Sequence, residues 1–184
     1  MVQSVVMSWR RRPLTALGWL RYDRELASFA LVGLSPTGAT LFSLSEAGGE
    51  AAGSFAALPG GDPKAWTAAM AEDIRRIYFD GVPKPGDEVR GEAAAVVLTR
   101  RTADGGELRL ELARAPMRSR AEWRRGGRRV GVTLYEDYEP HGRLRVPRRI
   151  VHRNQVYGYE LVIRTQEIQS LAPGPAAAGG GGTR

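Results

Sequence analysis

Two histidines are the first residues that could carry chemistry: His141, in a Pro-His-Gly turn, and His152, eleven residues later in a strand-like segment. Neither has a second ligand at metal spacing, and catalytic or metal roles both demand positioned partners. His141 therefore reads as a solvated turn residue and His152 as a strand-surface residue. Gly33-Leu34-Ser35-Pro36-Thr37-Gly38 follows an apolar run, as a nucleophile elbow would. Its final glycine is one residue late, however, and proline stands where the elbow needs a helix and an oxyanion N–H, so it reads as a hairpin turn. Gly48-Gly49-Glu50-Ala51-Ala52-Gly53 lacks glycine at the third position of the dinucleotide fingerprint and precedes no helical pattern. The adjacent acids Glu72-Asp73 and Glu136-Asp137 point to different faces and give no pair for acid–base work. The chain has no cysteine, which excludes disulfides, thiolate catalysis and cysteine metal sites. The expectation is a protein without cofactor or metal that is not an enzyme.

Charge offers a different chemistry. The 184 residues carry a net charge of +7, with 27 Lys+Arg, of which only Lys64 and Lys84 are lysine. That skew, beside abundant Ala and Gly, matches a GC-rich coding sequence. Position is more informative: Arg118 to Arg153 holds eleven Arg against Glu122, Glu136, Asp137 and Glu139, which equals the surplus of the whole chain. Such a region could meet nucleic acid, anionic lipid head groups or an acidic partner. Arginines on the outward face of strands are the simpler account, since outward positions must be polar anyway, and a nucleic-acid partner is not expected.

The elements that would position these residues are short strands separated by turns. Period-two alternation runs through Leu108, Leu110 and Leu112, then Val130, Val132 and Leu134, then Tyr157, Tyr159, Leu161 and Ile163. Earlier, Leu14, Ala16, Gly18 and Leu20 share one parity while Leu17 and Trp19 share the other, and Leu26 to Leu34 and Thr40 to Ser45 are further strands. Turn residues recur at Ser35–Gly38, Gly48-Gly49, Asp104–Gly106, Gly126-Gly127 and Pro140–Gly142, the spacing of a meander. One segment breaks the rhythm. Asp62-Pro63 supplies an N-cap and a first-turn proline, after which Trp66, Met70, Ile74 and Ile77 or Tyr78 recur at helical spacing until Gly81 and Pro83. This predicts one amphipathic helix of about four turns, laid against the concave side of an antiparallel sheet or plugging its mouth.

No run reaches the 18 or so apolar residues of a membrane-spanning helix, and the opening Met-Val-Gln-Ser-Val-Val-Met lacks the order of a signal peptide. The opening is already strand-like at its second residue, which suggests a trimmed chain or a start placed too far downstream. Residues 172–184 are almost all Pro, Ala and Gly and predict a flexible tail behind a single domain over 1–171.

Two stretches carry a resemblance. Phe29 to Leu44, followed by a hairpin and a helix, resembles the front of an uncharacterised bacterial family of outer-membrane-associated lipoproteins. Leu134 to Ile150 and Tyr159 to Ile168 resemble the closing strands of the LolA/LolB lipoprotein-localisation fold: a tyrosine-bearing strand, a Gly turn, a Pro before a basic strand and a last alternating strand. The likeness covers roughly residues 2 to 170. It implies a mainly β (α+β) protein, a curved, half-open antiparallel barrel of about ten or eleven strands with a helix closing one end over an apolar cavity. It further implies a periplasmic or outer-membrane-facing carrier of a lipid or lipoprotein acyl chain, most simply a monomer. The cysteine that would carry a lipid anchor in a LolB-type protein is missing.

On that reading Trp19, Phe29, Leu31, Phe42, Trp66, Met70, Ile74, Leu110, Leu134 and Ile150 are expected to line the cavity. The Met117 to Gly127 connection would hold Trp123 either as an interfacial membrane anchor or as a cap on the barrel rim. Around it Arg124, Arg125, Arg128, Arg148 and Arg149 would form one positively charged rim or flank toward an anionic membrane. The alternative function is a basic binding module for nucleic acid or another polyanion.

Overall fold

The computed structural model describes residues 1–9, 12–56, 62–92, 95–113, 117–142 and 144–169. The tail expected over 172–184, and with it the domain boundary at 171, lies outside the described residues. The alternating runs pair as β1 (Val2–Trp9), β2 (Arg12–Asp23), β3 (Ser28–Leu34), β4 (Thr40–Ala47), β5 (Glu50–Phe55), β6 (Glu88–Glu92), β7 (Ala95–Arg101), β8 (Glu107–Ala113), β9 (Arg118–Arg125), β10 (Arg128–His141), β11 (Leu144–Asn154) and β12 (Tyr159–Glu167). These twelve strands form one antiparallel sheet in the order β5-β4-β3-β2-β1-β12-β11-β10-β9-β8-β7-β6. The sheet is a half-open barrel: β5 and β6 are its edges, and they do not pair with each other.

Twelve strands exceed the ten or eleven expected from sequence. Part of the difference is β9: the arginine-rich stretch read as a connection around Trp123 is a strand, Arg118–Arg125. The topology is two meanders, β1 to β5 and β6 to β12, joined along one seam where Val5 pairs with Ile163 and Met7 with Leu161. Residues of one parity face the concave side, and across four neighbouring strands Leu110, Ala121, Thr133 and His152 fall in one row. His152 is thus fully buried, not on a strand surface.

The helix stands where its cap and spacing predict. In α1 (Pro63–Ile74) the Asp62 side chain accepts from the Lys64 N–H at 3.1 Å, and Pro63 occupies the first turn, where its missing N–H costs nothing. The helix continues as a π-helical turn over Arg75–Asp80, which swings Ile77 and Tyr78 into the interior. It crosses β5 at Gly53, where an added Cβ would stand 2.5 Å from the Thr67 hydroxyl, so only glycine admits this approach.

The two ends of the helix meet different surroundings. Around Ile77, the side chains of Leu98, Leu108, Leu110, Ala121, Trp123, Tyr135 and Ile150 close to a packed core. Ile150→Val in this packed half should destabilise by about 0.5–1.5 kcal/mol, because the deleted methylene leaves a gap its neighbours cannot fill. Urea denaturation at constant m-value measures it.

Candidate functional site

Between the N-terminal half of the helix and strands β1 to β5 the packing does not close. A cavity of about 90 Å³, counted as room for the centres of water molecules, lies within a concavity of about 900 Å³ that includes open solvent. Its wall is almost wholly apolar: Val5, Met7, Leu14, Leu20, Phe55, Leu161 and Ile163 from the sheet, Trp66, Met70, Ile74 and Ile77 from the helix. Burial grades along it. Gln3, Leu20 and Tyr78 at the inner end are buried, whereas Leu14 is 36% exposed and Met7 and Phe55 are half-buried, so the mouth lies at the end where β1 turns into β2.

Of the residues expected to line it, the structure gathers Leu31, Phe42, Trp66, Met70 and Ile74 around this space. Leu110 and Ile150 face the same concave side but belong to the packed half, and Phe29 lies tilted against Phe79 with ring centroids 6.4 Å apart. Trp19 is 60% exposed on the outer face. The alternation itself separates it from Ala16, Gly18 and Leu20. Leu134 also lies on the outer face, opposite Val151 and Arg120. Reasoning from sequence missed Leu14, Leu20, Phe55 and Ile77, and also Val5, Met7, Leu161 and Ile163; the alternation of the last four was visible, but the pairing of β1 with β12 that brings them together was not.

The polar residues beneath the helix form a closed cluster. Asp73 is the hub: Asn154 Nδ2 donates to both carboxylate oxygens at 3.1 Å, His152 Nε2 lies 3.0 Å from Oδ1, and the Tyr159 hydroxyl donates to Oδ2. His152 Nδ1 and the Thr133 hydroxyl are 2.8 Å apart. Burial alone would raise the Asp73 carboxyl, but the hydrogen bonds from His152, Tyr159 and Asn154 outweigh it and hold the group below the usual carboxylate range. Burial and the Asp73 charge push the Tyr159 phenol far upward. Acid, imidazole and hydroxyl thus stand in line as in a hydrolase, but Asp73, His152 and Thr133 are all buried at 1% exposure or less, and no substrate carbonyl can reach the hydroxyl. The cluster fastens the helix to β11 and β12. Further ties sit on the same half of the helix: Arg75 to the buried Glu46, the Tyr78 hydroxyl to Gln3 Oε1 at 3.0 Å, and the Tyr135 hydroxyl to the Ile77 carbonyl at 3.0 Å. No group of three or more metal-ligating side chains occurs among the described residues.

The arginines do not make one rim. Arg124 pairs with Glu122, Arg125 with Asp104, Arg148 with Glu139 and Arg149 with Glu136, on different strands and toward different ends of the sheet. Trp123 is buried beneath the helix, 6.2 Å from the His152 ring, and is not an exposed anchor. Arg118, counted in the same basic region, lies over the Tyr135 ring at 4.3 Å and donates to the Gly81 carbonyl, which ends the helix.

A half-open antiparallel barrel with one helix over an apolar cavity defines the LolA-like class of folds, and solved structures agree. The chain is similar to a LolA superfamily protein from Nitrosomonas europaea, at 13% identity and a TM-score of 0.61 over 93% of this chain and 86% of that one. It is similar to a domain described as an outer membrane lipoprotein-sorting protein from Vibrio parahaemolyticus, at 12% identity and a TM-score of 0.54 over 90% and 82% of the two chains. A DUF1329 family protein from Desulfovibrio piger follows at 12% identity and a TM-score of 0.52, over 89% and 81%. Residues 1–167 match the family model described as "Protein of unknown function (DUF3261)", and the chain belongs to that family. No protein of curated function matches it.

Proposed function

We propose that this protein is a non-enzymatic carrier that shelters the acyl chain of a lipid or lipoprotein in the periplasm or at the periplasmic face of the outer membrane. The observation that carries the reading is the apolar cavity left open between the helix and the sheet. Polar ties to the sheet run through Asp73, Arg75, Ile77 and Tyr78, Trp66 stacks on Tyr159, and Trp66 and Met70 line the open space. The LolA-like fold of the similar structures supports a sorting or carrier role, and among the described residues no helix is long and apolar enough to cross a membrane.

Burying about ten methylenes supplies on the order of 8 kcal/mol before the entropic cost of association, enough for reversible capture. Native mass spectrometry of freshly purified protein should therefore show a co-purified lipid. A fluorescent fatty acid should bind with an affinity that hardly changes between low and moderate ionic strength, because apolar burial releases no counterions. A steep loss of binding with salt would instead support a basic module for a polyanion. The ion pairs that neutralise Arg124, Arg125, Arg148 and Arg149 weigh against that second reading.

A further inference from the structure

The end of the sheet that holds the cavity mouth carries two neighbouring hairpin tips of opposite character. The tip between β11 and β12 exposes Val156 at 60% and Tyr157 at 40%. The tip between β9 and β10 carries Arg128 and Arg129, both exposed and without an acidic partner at ion-pair distance among the described residues. The tips are joined by a hydrogen bond from the Gln155 N–H to the Val130 carbonyl at 3.0 Å. From these observations we infer that the two tips together form a docking face for an anionic lipid bilayer, which sets the mouth of the cavity against the head groups.

Each part suits that occupant. Valine and tyrosine at a tip enter the interfacial layer, where an aromatic ring with a polar end is at home, and unpaired arginines beside them meet lipid phosphates. The apolar tip is held rigid before contact. The buried Asn154 side chain accepts from the N–H groups of both Val156 and Tyr157 at 3.0 Å, and Gly158 closes the turn at φ +69°. No loop must be ordered on docking. At the opposite end of the sheet Leu26 and Leu144 are exposed among Glu25, Glu50 and Glu167, whereas at the docking end the exposed Asp104 is paired with Arg125 and leaves Arg128 and Arg129 free.

The tip also reaches the cavity through stacked rings. Tyr157 stacks on Tyr159 with centroids 6.4 Å apart, and Tyr159 on Trp66 at 6.0 Å. Trp66 lines the cavity, and Asn154 and Tyr159 both bond Asp73. A membrane contact made at Tyr157 is therefore one ring removed from the group that fastens the helix.

Co-sedimentation with vesicles of phosphatidylcholine, with and without phosphatidylglycerol, tests the proposal on the full chain. The wild type should partition onto phosphatidylglycerol vesicles. Val156→Ser with Tyr157→Ser, and separately Arg128→Glu with Arg129→Glu, should each lower partition roughly tenfold or more. Leu144→Ser, at the opposite end, should leave it unchanged. Soluble fluorescent fatty acid should still bind the tip variants as it binds the wild type, so a failed docking face and a failed carrier reading give different results. Partition that survives both tip variants, or that falls equally with Leu144→Ser, would overturn the docking face, as would a wild type that ignores both kinds of vesicle.

Discussion

Asp73→Ala lowers the free energy of unfolding by about 3–5 kcal/mol, the size expected when one member of a buried, hydrogen-bonded charged group is removed. The loss is large because four partners are orphaned together: Asn154, His152, Tyr159 and the nearer nitrogen of Arg76, all buried. Denaturant unfolding measures the total. Amide hydrogen exchange localises it, with faster exchange expected in α1 and little change in β7 to β9, because the substitution unfastens the helix and leaves the packed half of the sheet intact. The same carboxylate sets an acid limit. Its pKa is lowered on folding from 3.8, so its contribution is fully present above that value and is lost as the pH falls through the lower, folded one. Stability of the wild type should accordingly drop below about pH 4 more steeply than that of Asp73→Asn, which keeps its shape but carries no charge to lose.

Met70→Trp should do the reverse: little change in stability and loss of ligand. Met70 is half-buried and faces the cavity, so a larger side chain there fills space that is already open. In a packed core the same exchange would cost about 1–3 kcal/mol through strain. Less than about 1 kcal/mol is expected here, together with at least a tenfold weaker binding of a fluorescent fatty acid, since the indole occupies the volume the chain would take. A strongly destabilised variant, from a wild type that binds no fatty acid, would end the carrier reading.

The sequence revealed the helix better than the sheet's interior. Asp62-Pro63 and the spacing of Trp66, Met70 and Ile74 are local signals, and local signals survive folding unchanged. Alternation likewise located most strands, but it gives two faces without saying which is inward. Trp19 illustrates this: hydrophobicity argued for the cavity, yet its parity set it on the outer face with Leu17, and parity won. In β9 the inward positions Ala121 and Trp123 are interleaved with Arg120, Glu122 and Arg124, and the density of charge hid a strand. The burial of His152 could not be read at all, because its partner Asp73 lies 79 positions away on the helix, and only the topology brings them together. Five cavity residues were found because helical spacing and strand alternation agreed on them; Val5, Met7, Leu161 and Ile163 depend on a pairing between the two ends of the sequence.

That pairing also has a kinetic consequence. Within each meander every strand bonds its neighbour in sequence, whereas Gln3 and Thr165, facing one another across the joint of β1 with β12, are 162 residues apart. Loop closure of that length is entropically the most expensive step, so each meander should form early and the joint last, giving low φ-values at Val5 and Ile163 and high ones within hairpins such as β10–β11. The joint runs directly under the open space, with Val5 and Met7 on one side and Leu161 and Ile163 on the other. An occupant lying across it would clasp the two halves together and slow their separation, so a loaded molecule should unfold more slowly than an empty one.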